Sequence, residues 1–188
     1  MEQLSRQEVL DRYQKGESFA GLDLSGLDLS YINFKNADFS STRLIETHLQ
    51  NASLEGVNFG NANLERVFLF GANLAKANFD GANLTNANLQ DTNLDSASFI
   101  GANLKHAKLF GANMENANFK NANLKTCRLK RSNMHRVNLE NANLTDAHLE
   151  RANLKDANLK NANFTGAFLT YTNIEQVNTQ VAVNFPGE

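Results

Sequence analysis

The chain has 188 residues, with 18 basic and 20 acidic side chains and a formal net charge of −2. This length suffices for one domain with a substantial core. The near balance of charge argues against a strongly basic nucleic-acid binder and against a strongly acidic decoy. The longest wholly apolar run is Val67-Phe68-Leu69-Phe70, which is too short to cross a membrane as a helix.

The first residues, MEQLSRQEVLDRYQKG, are charged throughout and lack the apolar stretch of a secretory signal. We therefore expect a cytoplasmic protein without membrane insertion, and a lumenal or periplasmic location after processing stays open as an alternative. The single cysteine, Cys127, excludes an internal disulfide and a thiolate metal cluster. We expect it to be a buried, inert thiol.

Residues 1–16 are predicted to form an N-terminal capping helix. Ser5 and Glu8 have the spacing of a capping box, and Gly16 stands where a helix C-terminal glycine belongs. This places a short helix over residues 6–15. Leu10 and Tyr13 are expected to pack on the first layer of the repeat that follows.

Residues 17–178 repeat one five-residue phrase. From Phe19 to Ile174, 32 successive fifth positions are Leu, Phe, Met or Ile; two places earlier the residue is mostly Ala, and between them it is usually Asn or Asp. A period of five fits neither a helix nor a long strand, but it fits a short strand followed by a corner. Gly or Asn, such as Gly71 and Asn86, fills the second corner position in half of the units, which favours a positive φ there.

A second period of twenty sets the number of corners in a coil. Phe occupies every fourth central position from Phe19 to Phe119, and Leu139 and Leu159 continue this column. Four units per turn would stack these side chains, so that 32 units form about eight square coils. At about 4.8 Å per layer the rod is about 38 Å tall.

The repeated phrase A-N-L/F-x-x resembles the pentapeptide-repeat family, and its cyanobacterial-type members most closely. The resemblance implies an all-β fold: a right-handed parallel quadrilateral β-helix, a solenoid of about eight four-sided coils, with a short N-terminal capping α-helix. The frame fails at Thr179, so residues 179–188 are predicted to be a C-terminal cap or tail. Whether this tail covers the last coil, pairs with another subunit or is partly disordered stays open.

The sequence contains no recognisable catalytic motif. G-x-S-x-G, H-E-x-x-H, P-loop and dinucleotide fingerprints are all missing. The histidines do not have ligand spacing, and a convex rod offers no concave pocket. We expect no enzyme activity, no cofactor and no metal.

One side of the predicted rod departs from the repeat. We call it the third face and define it as residues 27–31, 47–51, 67–71, 87–91, 107–111, 127–131, 147–151 and 167–171. Elsewhere the residue before the central Leu or Phe is Asn, Asp or Ser, with the exception of Arg43. On the third face it reads Asp28, His48, Phe68, Asn88, Lys108, Arg128, His148 and Phe168.

Aromatic and basic side chains gather on this face. It has five basic and three acidic side chains, whereas the other faces are neutral or net negative. Aromatic and arginine-containing strips are typical of interface cores. The predicted partner-binding set is Tyr31, His48, Phe68, Phe70, Lys108, Phe110, Arg128, Lys130, Arg131, His148, Phe168 and Tyr171. The alternative is that this face only has a different corner geometry.

These features favour a non-catalytic interaction or scaffold protein that presents the third face to a protein partner of unknown identity. A homodimer through this face or the C-terminal end is a second form of the same hypothesis. Nucleic acid is not expected, because so few charges would give only weak, salt-sensitive binding. The resemblance implies one alternative, a DNA-mimicking modulator of a type II topoisomerase such as DNA gyrase. Members of that quinolone-resistance type are strongly acidic and often have interrupting loops, and this chain has neither feature.

Overall fold

A computed structural model describes residues 4–186. The chain begins with helix α1 (Arg6–Gln14), and a single 3-10 turn (Thr179–Val181) lies near its end. Between them, short extended segments pair in parallel, one bridging residue at a time, and the partners are twenty residues apart. Asp23 thus pairs with Arg43, and Arg43 pairs with Asn63. Four segments therefore complete one coil, as the Phe column predicts.

Each segment ends in a tight corner of one type. All 32 second corner positions, from Gly21 to Gln176, have φ between 53° and 73°. The N–H three residues after the central position donates back to its carbonyl, as Ala62 does to Phe59 at 3.0 Å. This is the pattern of a turn with a left-handed third residue, which Gly and Asn adopt with the least strain.

The interior is a stack of like side chains. The rings of Phe79, Phe99 and Phe119 lie 4.6 and 4.5 Å apart, with interplanar angles of 4°. From Thr42 onward, each polar residue at an inward Ala position donates to a backbone carbonyl, as Thr42 does to Phe19 at 2.8 Å. Cys127 is buried in the same way, and burial raises the pKa of its thiol to about 12. It is therefore a protonated packing residue at neutral pH.

Outward Asn side chains link the coils and also cap the corners. Asn58 donates from Nδ2 to Asp38 at 2.9 Å and accepts from Asn78 at 3.0 Å. Its Oδ1 also accepts the backbone N–H of Gly60 at 3.0 Å. One side chain thus caps the corner and also joins the coils above and below.

Helix α1 covers the open end of the first coil. Ser5 and Glu8 form the predicted capping box, and Gly16 (φ 70°) ends the helix. Tyr13 packs edge-to-face on Phe34, with ring centroids 5.1 Å apart. Arg6 donates to the carbonyls of Asp28 and Ser30, at 2.6 and 2.9 Å, which no earlier coil can satisfy.

The C-terminal segment lies on the chain's own last coil. Val183 pairs with Asn163, twenty residues earlier, and Phe185 packs edge-to-face on Phe164 at 5.0 Å. Residues 1–3 and 187–188, which belong to the predicted terminal segments, lie outside the described residues. Within residues 4–186, no helix has the length and apolar character needed to traverse a lipid bilayer.

Candidate protein-interaction face

The third face has the same backbone as the other three sides. Its outward residues form an unbroken ladder of parallel bridges from Asp28 to Phe168. Its corner residues have φ between 53° (Asp91) and 68° (Gly71 and Gly111), within the range of the whole rod. A different corner conformation therefore does not account for its unusual side chains.

The unusual side chains remove the corner caps. The first, second and fourth faces are the sides that begin with residues 17–21, 22–26 and 32–36. The corner N–H, which belongs to the residue after the central position, donates to a side-chain oxygen at all eight corners of the first face, at all eight of the second and at seven of the fourth, where Glu55 is the exception. On the third face, within the described residues, only the N–H groups of Ser30 and Gln90 donate in this way, to Asp28 and Asn88. The corners without such a bond lie at Gln50, Phe70, Phe110, Lys130, Glu150 and Thr170.

The predicted site residues fall into three groups along the face. The group nearest the N-terminus contains Tyr31, His48, Phe68 and Phe70. The imidazole of His48 stacks on Phe68, with centroids 4.6 Å apart. Tyr31 is 76% exposed and Phe70 43%, whereas Phe68 is only partly exposed because residues of adjacent coils cover its ring.

The central group surrounds a shallow hollow. The hollow has a volume of about 450 Å³. Five predicted residues line it together with Gln90: Lys108, Phe110, Arg128, Lys130 and His148. Arg131 lies beside it, and its guanidinium is 5.8 Å from the ring centre of Phe110. The concavity is a local feature of a convex rod, and it arises where the face carries long cationic side chains in place of Asn.

The group nearest the C-terminus contains Phe168 and Tyr171, which are 50% and 80% exposed. His148 stacks on Phe168 at 4.6 Å and so connects this group to the hollow. The guanidinium of Arg151 lies 5.8 Å from the ring centre of Tyr171. The face therefore has exposed aromatic residues at both ends and cations between them.

Electrostatic pairing at the centre is incomplete. Lys130 pairs with Glu150 at 2.8 Å. Burial alone would raise the pKa of Glu150, but the Lys130 ammonium, together with the other donors around the carboxylate, holds that pKa below its usual range. Lys108 and Arg128 are exposed, and their side chains form no ion pair or hydrogen bond with the described part of the chain. The buried Nδ1 of His148 has no partner at hydrogen-bond distance there, although it lies 3.6 Å from Oε1 of Glu150.

Two residues of this face lie outside the partner-binding set predicted from the sequence. Gln90 lines the hollow, and Arg151 contacts Tyr171. The uncapped N–H groups were not predicted either, although the sequence contains a pattern that indicates them. An Asn two residues before a corner is the local mark of a cap, so its replacement in the third-face column marks a free donor.

The four histidines are spread over the rod rather than gathered at one point. His48 and His148 stack on aromatic rings, and His135 lies between Glu115 and Asp156, at 3.1 and 3.2 Å. Within residues 4–186, no group of three or more His, Cys, Asp or Glu side chains is arranged to hold a metal ion.

The fold and this face define a class of protein, a right-handed quadrilateral β-helix with one divergent side. The chain belongs to the pentapeptide-repeat family. The family's profile, described as pentapeptide repeats, matches eight times, and the matched residues run from 18 to 178. Both the family and the fold predicted from the sequence are thereby confirmed. Members of this family are generally non-catalytic.

Several solved structures are similar to the chain. QnrB1, a plasmid-mediated fluoroquinolone resistance protein, matches in a trypsin-treated form with 21% identity and a TM-score of 0.73, over 86% of this chain and 84% of that one. HetL, a pentapeptide repeat protein involved in heterocyst differentiation regulation in the cyanobacterium Nostoc sp. strain PCC 7120, matches with 25% identity and a TM-score of 0.46, over 95% and 96%. At these values the QnrB1 match shows a shared fold alone. No protein of curated function matches at a significant level.

Proposed function

We propose that this protein is a non-catalytic interaction or scaffold protein, and that its third face binds a protein partner. The observation that carries the proposal is the loss of the Asn pattern on one face only. Asn supplies a corner cap and an inter-coil bond at the same position on the other three faces. The third face lacks both the corner cap and the inter-coil bond on six of eight coils, and this loss weakens the rod. We therefore infer that the side chains that replace Asn serve another purpose.

The exposed aromatic residues support an interface. Four of the large apolar side chains that are strongly exposed lie on this face: Tyr31, Phe70, Phe168 and Tyr171. Single exposed apolar residues are common on monomers, but aligned aromatic residues beside arginines are typical of binding surfaces. A rigid ladder of paired coils would present them with little loss of backbone entropy on binding.

Affinity capture from a lysate of the source organism tests this proposal. The bait variant is Phe70→Ser/Phe168→Asn, which removes two exposed rings from the third face. Ile100→Ser is the matched control, because Ile100 occupies the same corner position as Phe70 on the first face and is 38% exposed. We expect a partner that is lost with the double variant and retained with the control. Identical captures with all three baits would contradict the proposal.

The same variants separate a partner from a second copy of this chain. If the third face is a homodimer contact, light scattering of the purified wild type will give twice the mass of the double variant. Equal monomeric masses, together with a protein lost from the capture, identify a different partner.

A second candidate comes from the match to QnrB1, whose shared rod is the only observation that favours it. Two features of this chain count against this second function: its charge is nearly neutral and its repeat frame has no interruption. A supercoiling assay with DNA gyrase and a quinolone tests it directly. We expect no protection of the enzyme, and dose-dependent protection would favour this second function instead.

A further inference from the structure

We propose that the centre of the third face recognises the carboxylates of an acidic segment of a partner protein, through backbone N–H groups and unpaired cations. This inference rests on the proposed function and states the chemistry of the partner. It concerns the hollow lined by Lys108, Phe110, Arg128, Lys130 and His148.

Free backbone donors lie at the centre of the third face. The backbone N–H groups of Phe110 and Lys130 have no acceptor in the described chain, whereas the equivalent groups on the first and second faces are all capped. In those faces the acceptor is a side-chain oxygen on the outer surface of the rod, so this N–H points outward. A carboxylate oxygen from a ligand can take the position that Asn Oδ1 holds elsewhere, and bonds of this kind to an anion are stronger than neutral ones.

The same part of the face has unpaired positive charges. Lys108 and Arg128 are β-bridge partners on adjacent coils, so their backbones lie about 4.8 Å apart. Both are exposed and unpaired, and Arg131 lies close by. Replacing Asn by Lys or Arg thus removes the internal acceptor and adds a positive charge at the same point. Both changes favour an external anion.

Aromatic residues flank these cations on both sides. Phe68 and Phe168 are five coils apart, which corresponds to about 24 Å along the rod. Between them lie the cations, so the matching partner is acidic in the middle and apolar at both ends. A nucleic acid would also place phosphates over the two ends, where this face has aromatic rings and Asp28. The pattern therefore favours a protein segment.

The partner must bind through side chains rather than as an added strand. The backbone of the third face is already paired between coils from Asp28 to Phe168. Only the corner N–H groups remain free, and they are spaced by one coil each. Recognition therefore depends on carboxylates that reach these corners and the neighbouring ammonium and guanidinium groups.

Fluorescence anisotropy with a labelled peptide tests the proposal. The probe has four central glutamates with two leucines at each end. Two variant pairs separate charge from backbone donors. Lys108→Gln/Arg128→Gln removes the two charges, whereas Lys108→Asn/Arg128→Asn removes them and also places caps on the N–H groups of Phe110 and Lys130. The control is Lys105→Gln/Lys125→Gln, which removes two unpaired lysines from the same two coils on the second face.

We expect the wild type and the control to bind the peptide equally, the Gln pair to bind about tenfold more weakly, and the Asn pair more weakly still. An Asn pair that binds as well as the Gln pair would overturn the role of the backbone donors. A control that weakens binding as much, or a thymidine oligonucleotide that binds more tightly than the peptide, would overturn the choice of an acidic protein segment. Absence of peptide binding, with capture still dependent on Phe70 and Phe168, would overturn this inference and leave the proposed function standing.

Discussion

At the scale of single residues, the outward Asn is as important to this rod as the inward Leu. The side chain of Asn58 makes bonds to Gly60, Asp38 and Asn78 at once, so it satisfies a corner and joins three coils. The third face gives up these bonds at Lys108 and Arg128. A site built in this way trades stability for free donors, which is a common property of functional surfaces.

Restoring the repeat at one such position should stabilise the protein. We expect Lys108→Asn to raise the free energy of unfolding by about 0.5–1.5 kcal/mol, the usual net contribution of one hydrogen bond, because it caps the N–H of Phe110. Lys108→Gln is the control, since it removes the same charge without the short reach of Asn. Urea denaturation monitored by circular dichroism measures the difference. Equal stabilities for the two variants would show that the missing cap at Phe110 does not reduce the stability of the protein.

At the scale of elements, the stability of the rod depends on how its ends are covered. Helix α1 does this with a capping box at Ser5, a glycine C-terminus at Gly16 and the two carbonyl contacts of Arg6. At the other end Val183 continues the ladder and Phe185 covers Phe164. Open solenoid ends expose unpaired backbone groups, so these caps protect against edge-to-edge association.

The helix cap can be tested by one substitution. Ser5→Ala should destabilise the helix by about 1 kcal/mol, because the N–H of Glu8 loses its acceptor. Gln7→Ala is the control, since this exposed side chain bonds only to Asp11 within the same helix. Hydrogen exchange should become faster in the first coil of the Ser5 variant and stay unchanged in the control. Unchanged exchange in both would mean that α1 does not hold the first coil closed.

The elements also show what could be predicted from the sequence. The corners, the Phe column and the capping box follow from local patterns, because in a solenoid each residue's neighbour is its own equivalent one coil away. The half-burial of Phe68 and Phe110 could not be predicted, since it depends on how far long side chains from adjacent coils cover each ring. The position of the tail could not be predicted either, because the repeat frame is lost at Thr179, whereas in the structure Val183 is in register with Asn163.

At the scale of the whole molecule, the rod is held by ladders of polar groups as well as by its apolar core. Several carboxylates in these ladders are stabilised as anions. At Asp38, burial would raise the pKa, but hydrogen bonds from Ser18, Ser40 and Asn58 outweigh it and hold the pKa below its usual value. A carboxyl with a lowered folded-state pKa stabilises the protein above its unfolded pKa, and this contribution is lost as the pH falls through the folded value.

The melting temperature should therefore fall as the pH drops from 5 towards 2. Asp38→Asn keeps an oxygen that can cap Ser40 but removes the titrating group. We expect this variant to melt below the wild type at pH 7, because it lacks the carboxylate contribution and no longer offers the oxygen that accepts from Ser18 Oγ, and to lose less of its melting temperature in acid. Differential scanning calorimetry across this range measures both. Identical acid profiles would show that Asp38 does not contribute to the pH dependence.

The central claim is that the third face gives up its own hydrogen bonds in order to bind a partner. The most direct measurement is capture from source lysate with the Lys108→Asn/Arg128→Asn variant beside the wild type, after urea denaturation has measured the stability of both. The account predicts that the variant is at least as stable as the wild type and fails to retain the partner. A variant that retains the same proteins as the wild type would contradict the account. It would show that the side chains that replace Asn at these two positions have no role in binding the partner.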